Sequence, residues 1–233
     1  VAVRDYRAKG YLPEALLNYI ALLGWTPPSH KEIMNLSEMI SEFELTDLHK
    51  SGAVFDLEKL RWYNREYLLK PLAAEFEHSI LPTLEKAITE RGVPWKPVVG
   101  EQLLPILLER IHVAEDVREL VAGGELDFFF ADPTLETTHI PEKRSSATEA
   151  ATHLQYAHDT LDKITDADWN ESNIKNALWD YATEKGRGAV LWPLRYALSG
   201  RDKSPDPFSI AALIGKDATA RRINNTIKAL GIV

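Results

Sequence analysis

The chain has 233 residues, 45% of them hydrophobic and 27% charged, which suits a globular protein of one large or two to three small domains. It has no cysteine, which excludes disulfides, thiolate metal sites and cysteine nucleophiles and fits a reducing cytoplasm. Its 35 acidic residues outnumber 27 basic ones for a net charge of -8, and no apolar run approaches the roughly 20 residues needed to cross a bilayer.

The chain opens on VAVRDYRAKG, with neither a signal-peptide pattern nor an initiating Met, and so reads as part of a longer protein. Pro13 suits a first helical position, and Leu12, Leu16, Ile20 and Leu23 recur at helical spacing until Gly24. A short helix is expected around residues 36–43 with Ser37 as its N-cap. Asp56 caps a helix reaching about Leu69, from which Lys59, Arg61 and Arg65 project. Pro71 marks a first boundary. Residues 72–91 are expected to be helical with a break at Pro82, because proline removes a backbone donor. Residues 93–100 read as a proline-stiffened connection, and 101–111 as a helix with Pro105 in its first turn. Residues 113–121 read as a further helix. LDFFF at 126–130 is the most buried-looking stretch of this half and is expected to be extended or coil. The turn formers and charges of 132–144 form a linker and a second boundary. Ser145 or Ser146 caps a long helix to about Ile164, and another opens at 168–170 with Ile174, Leu178 and Tyr181 at helical spacing. No segment alternates like a strand. The expected fold is all-α, helical bundles in series, divided at 1–70, 71–142 and 143–233.

Catalytic chemistry is hard to find. Gly186, Arg187 and Gly188 lack the lysine and hydroxyl that end a phosphate-binding loop. His153 and His158 are five residues apart on a helix and share no face, and nothing else supports zinc. Glu14, Asp56 and Glu58 fit helix capping and the helix dipole better than acid–base work.

The C-terminal end differs in charge from the rest. From residue 185 onward there are nine basic and three acidic residues, a net +6 on a chain that is otherwise -14. A cationic end on an acidic body points to a polyanionic partner. Gly200 and Gly215 sit as helix C-caps, and Ser204, Pro205, Asp206 and Pro207 form a stiff elbow between them.

Here PLRYALSG, a short polar loop, SPDPF and a terminal LIGKDATARRI helix resemble the end of bacterial-type glutamyl-tRNA synthetases. GYLPEALLNYIALLGW at 10–25 and FDLEKLRWYNREYL at 55–68 resemble the same family, in the same order. The resemblance implies a segment contacting the tRNA stem (1–70) followed by two anticodon-binding helical domains (71–142 and 143–233). It implies a glutamate isoacceptor of tRNA as partner, with no DNA and no membrane, and a monomer in the cytoplasm. The family's two ATP-binding signatures are missing. No cofactor is therefore expected in this part, ATP and Mg belonging to the full-length enzyme, and this part alone is expected to be inactive. Carried over residue by residue, Arg195, Ser204, Pro205 and Pro207 contact anticodon bases, and Arg110 discriminates the third. Lys59, Arg61, Arg65, Arg201 and Lys203 are carried over as contacts to the tRNA backbone.

Such readers hold unpaired bases by stacking and edge hydrogen bonds while arginine and lysine hold phosphates. Proline turns ordered in advance lower the entropy lost on docking. The bland readings are Arg195 as a helix-end residue favoured by the dipole, Trp192 as core, Arg110 as an exposed helix residue, Arg201 and Lys203 as solvated loop charges, and Lys59, Arg61 and Arg65 as a solvated helix face. The net charge of -8 opposes nonspecific RNA binding and implies steep salt dependence. The competing function is an acidic helical scaffold that binds proteins through LDFFF and the pair Trp62 and Tyr63.

Overall fold

Capping chemistry sets where most helices begin. The structure, a computed structural model, describes residues 2–49, 52, 54–69 and 74–231, with the backbone alone for 74–79. The boundary expected at Pro71 lies outside the described residues. The helices are α1 (Val3–Ala8), α2 (Pro13–Gly24), α3 (Leu36–Glu42), α4 (Leu57–Leu68), α5 (Ala74–Glu90), α6 (Pro97–Arg110), α7 (Glu115–Ala122), α8 (Asp127–Phe130), α9 (Ala147–Leu161), α10 (Glu171–Lys185), α11 (Arg187–Ser199), α12 (Pro207–Ile214) and α13 (Lys216–Ala229). Among the described residues there is no strand beyond one isolated bridge, Trp25 to Leu48. The all-α expectation therefore holds. None of these helices is long and apolar enough to cross a membrane.

Pro13 opens α2, Asp56 caps α4 through the amides of Glu58 and Lys59, and Ser146 and Glu149 cap α9 reciprocally. Four local expectations are corrected. Asn35, not Ser37, caps α3: its Oδ1 accepts the Glu38 amide, and the Glu38 carboxylate accepts the Asn35 amide in return. α5 runs unbroken through Pro82, held by Ile80, Leu84 and Ile88, each 0% exposed on one face. α6 starts at Pro97, where a missing N–H costs nothing, so Pro105 falls inside the helix rather than in its first turn. LDFFF is a helical turn rather than extended chain. A strand would send successive rings to opposite faces, whereas Phe128, Phe129 and Phe130 are all buried where α8 packs on α11 and α12.

The chain divides into two compact units. One comprises Val1–Arg91 and Leu103–Gly123, the other Gly92–Gln102 and Gly124–Val233. In the first, α2 packs on α4 and α5 on α7, with Tyr11, Leu16, Tyr19, Leu60, Tyr63 and Val113 at its core. Fully buried Asn64 is the polar joint of that core. Its Oδ1 accepts from the Leu12 amide at 2.7 Å, and its Nδ2 donates to the His112 carbonyl.

In the second unit α9 packs on α11 and α13, and α10 on α11 and α12. Leu154, Leu178, Leu198, Ile210 and Ile223 fill its interior. Arg222 of α13 is 2% exposed. Its guanidinium donates to the carbonyls of Leu198 (2.6 Å) and Ala131 (2.8 Å) and to the Asp132 carboxylate (3.0 Å). Arg221 forks onto the same carboxylate at 2.9 and 3.0 Å. The Arg221 hydrogen bond, opposed by burial and joined by Arg222, holds the Asp132 carboxyl down at about 2.

Gly200 ends α11 in the left-handed region (φ 64°) and donates its N–H to the Tyr196 carbonyl at 2.7 Å. A Cβ there would stand 2.7 Å from the Thr134 carbonyl oxygen and 2.8 Å from the Pro133 Cβ. Gly200→Ala is expected to cost about 2 kcal/mol, combining left-handed strain with the clash. A thermal melt unchanged from wild type would contradict this.

Candidate nucleic-acid interface

The candidate surface of the second unit is built where α11 ends and α12 begins. Val190, Leu194, Ala197 and Leu198 face the interior of the bundle. Trp192 and Arg195, three residues apart and both half-buried, share another face of α11. The Arg195 guanidinium carbon lies 4.7 Å from the centre of the Trp192 ring. Its Nη2 donates to the Asp202 carbonyl at 2.7 Å. Among the described residues no carboxylate pairs with it.

After Gly200 the chain turns sharply. The Ser199 hydroxyl donates to the Arg195 carbonyl at 2.8 Å and accepts the Arg201 amide at 3.2 Å. The Asp206 carboxylate caps α12 by accepting the amides of Phe208 (2.9 Å) and Ser209 (3.0 Å), with Pro207 at the first helical position. The same Asp206 accepts the Ser209 hydroxyl at 2.6 Å. The elbow is thus fixed by local chemistry that its sequence specifies.

A second segment closes the surface. The Trp192 Nε1 donates to the His139 carbonyl at 3.0 Å, and the His139 Nδ1 lies 3.1 Å from the Asp202 carboxylate. Glu136 faces the other ring nitrogen of His139 at 3.6 Å. Next to these groups is a cleft of about 640 Å³ whose walls include Phe128, Pro133, His139, Tyr196, Arg201 and Lys203. Exposed Lys203 has no partner among the described residues, while Arg201 is half-buried.

The fold therefore gathers Arg195, Arg201, Lys203, Ser204 and Pro205 at one turn, with Ser204 and Pro205 half-buried. Pro207 is different, since it is buried within the first turn of α12 and shapes the elbow from inside. The other sequence candidates belong to the first unit. Arg110 is the exposed last residue of α6. Lys59 on α4 is exposed and lies 6.0 Å from the Tyr63 ring centre. Arg61 is engaged inside its own unit, with Nη2 3.0 Å from both Asp116 oxygens. Burial opposes its charge, but the Asp116 hydrogen bond and charge outweigh that, so its pKa is raised. The Arg65 Nη2 donates to the Glu109 carbonyl at 3.2 Å.

Two other sequence readings change. Of the nine basic residues counted at the C-terminal end, Arg221 and Arg222 share the single Asp132 carboxylate within their own unit, so only one of their two charges is balanced there. Lys216 is directed inward too, donating to the carbonyls of Asp162 and Ile164 at 2.8 Å each. The sticky features of the scaffold alternative also largely disappear. The three phenylalanines and Tyr63 are core, leaving only Trp62 exposed at 39%. His153 is bonded to the Tyr181 hydroxyl at 2.9 Å, and burial lowers its pKa. Among the described residues no cluster of His, Asp or Glu is arranged to hold a metal ion.

Trp192 is the residue that sequence reasoning undervalued by assigning it to the core. The available signal was its three-residue spacing from Arg195 on a predicted helix, which puts a ring under a guanidinium.

Comparison with known proteins gives the family. Residues 58–227 match the family described as an anticodon binding domain, and residues 1–62 the one described as the class I (E and Q) tRNA synthetase catalytic domain. A glutamate–tRNA ligase of Clostridium acetobutylicum is 38% identical over 231 residues, covering 97% of this chain and 45% of the relative. One from Flavobacterium johnsoniae is 34% identical, covering 97% and 43%. The crystal structure of a glutamate tRNA ligase from Elizabethkingia meningosepticum, in complex with its amino acid, superimposes with a TM-score of 0.74 at 34% identity, over 97% of this chain and 43% of that one. The chain thus spans about 45% of the length of the curated relatives it matches. The chain belongs to the anticodon-binding domain family, in the form found in these glutamate–tRNA ligases.

Proposed function

We propose that this chain reads the anticodon loop of a glutamate tRNA on behalf of a ligase that joins glutamate to that tRNA with ATP and Mg. In this reading residues 1–70 contact the inner limb of the tRNA, and 71–142 and 143–233 are two anticodon-binding helical domains. Arg195 donates to a base edge, while Ser204 and Pro205 present the rigid turn beside it. Arg110 supplies a second base contact. Lys59, Arg201 and Lys203 hold phosphates, with smaller shares for Arg61 and Arg65, which are tied within their own unit. Pro207 contributes by fixing the elbow.

The observation that carries the reading is the state of Arg195. It is a half-buried guanidinium near the end of α11, with one carbonyl partner and no carboxylate among the described residues, beside a proline-set turn in the region matched by the anticodon-binding family. A lone structural helix-end arginine does not require the Trp192 ring beneath it or the cleft beside it. The test is an anisotropy titration with glutamate tRNA at two salt concentrations. Arg195→Ala is expected to weaken binding by about 1–3 kcal/mol. Equal binding by the two proteins would sink the assignment.

A further inference from the structure

We propose that Trp192 is a positioning residue for Arg195, fixing the guanidinium in the orientation that the anticodon contact uses. This deepens the function proposed above and rests on it. Four groups close a circuit. Arg195 donates to the Asp202 carbonyl at 2.7 Å, and the Asp202 carboxylate lies 3.1 Å from the His139 ring. The His139 carbonyl accepts the Trp192 indole N–H at 3.0 Å, and the Trp192 ring lies 4.7 Å from the Arg195 guanidinium carbon. Each link restrains the next, and the circuit joins α11 to two separate segments, the turn after Gly200 and the 137–139 turn.

An arginine side chain has many rotamers, and ordering them before docking removes that cost from binding. A ring on one face restrains the tilt of the guanidinium and leaves the opposite face and the remaining N–H groups for a ligand. The indole N–H matters separately, because it pins the plane of the ring to the His139 carbonyl. Phenylalanine keeps the face and loses the pin, and leucine loses both. The other indoles flanked by cations do not share this arrangement. Trp179 lies near Lys175 and Arg187, 5.0 and 4.4 Å from its ring centre, but among the described residues neither cation is tied to a turn lining the cleft.

The test combines RNA binding with a measurement on the free protein. In titrations of the full chain with glutamate tRNA, Trp192→Phe is expected to bind about threefold more weakly and Trp192→Leu about tenfold more weakly. The double variant Trp192→Leu/Arg195→Ala should bind no more weakly than Arg195→Ala alone, because Trp192 acts through Arg195. Additive losses overturn the proposal, since they would mean that Trp192 touches RNA itself or supports the fold generally. In the free wild-type protein, the ring current of Trp192 should displace the Arg195 side-chain N–H resonances upfield. Phenylalanine should retain part of that shift and leucine none. An unshifted wild-type resonance overturns the proposal without recourse to any variant. If Arg195→Ala binds RNA like wild type while the ring-current shift is present, the anticodon assignment fails and the positioning contact stands.

Discussion

Asn64→Leu is expected to destabilise the first unit by about 4 kcal/mol, because it strands two backbone groups at once. Asn64 is 0% exposed, and its amide serves the Leu12 N–H before α2 and the His112 carbonyl after α6. Leucine keeps the branched heavy-atom skeleton of asparagine and leaves no cavity, so the loss reports the missing hydrogen bonds together with the crowding of two methyl groups. The other polar ties among these segments are the Asp116 carboxylate, which accepts the amides of His112 (2.7 Å) and Val113 (3.1 Å) and pairs with Arg61, the Arg65 bond to the Glu109 carbonyl, and the Glu115 amide bonded to the Lys9 carbonyl at 3.2 Å. Urea melts of the two proteins would show a large fall in midpoint with an unchanged slope. A difference under about 1 kcal/mol would mean that water replaces the amide without cost, contrary to this account.

Asp132→Ala is expected to cost the second unit about 3 kcal/mol, because it leaves the Arg222 cation at 2% exposure without its counter-charge. The carboxylate is 43% exposed, which screens the pair and keeps the figure at the lower end of what a buried pair costs. The expected pH dependence has a definite sign. In the folded protein the Asp132 carboxyl is depressed from 3.8 to about 2, so its contribution is complete above about pH 4 and is lost as pH falls toward 2. The stability gap between wild type and Asp132→Ala should therefore narrow on acidification through that window. Replacing both groups, as Asp132→Ala/Arg222→Met, should recover much of the loss, since an apolar pair needs no counter-charge. A gap that stays constant from pH 6 to pH 2 would remove the ion pair from the explanation.

The parts of the fold legible in the sequence were those decided within four or five residues. Pro13, Asp56, Ser146, Asn170, Gly200 and Gly215 mark helix ends because each supplies a cap or a backbone conformation locally. The errors arose where tertiary packing outweighed local preference. Pro82 breaks no helix because α5 buries a whole face, and Gly100 is tolerated inside α6 because a Cβ would meet the Trp95 ring at 2.2 Å. At the candidate site, the elbow and Arg195 were legible because their residue types sit together in the chain. The roles of Asp132 and His139 were not. Their partners are Arg222, 90 residues away, and Asp202, 63 residues away, and neither spacing follows any helix or strand period. The +6 count at the C-terminal end had the right sign but overstated the available charge, because it could not see which cations were already paired.

The carboxylate of Asp206 gives the elbow a signature in time. It holds the Phe208 and Ser209 amides in the free protein, and its neighbour Ser209 is linked through its hydroxyl to Glu171 on α10 at 3.0 Å. Those two amides should exchange with deuterium slowly before any ligand arrives and gain little protection afterwards. The bend is then a mould already set, and association should proceed in one kinetic phase, without a slower folding step after encounter.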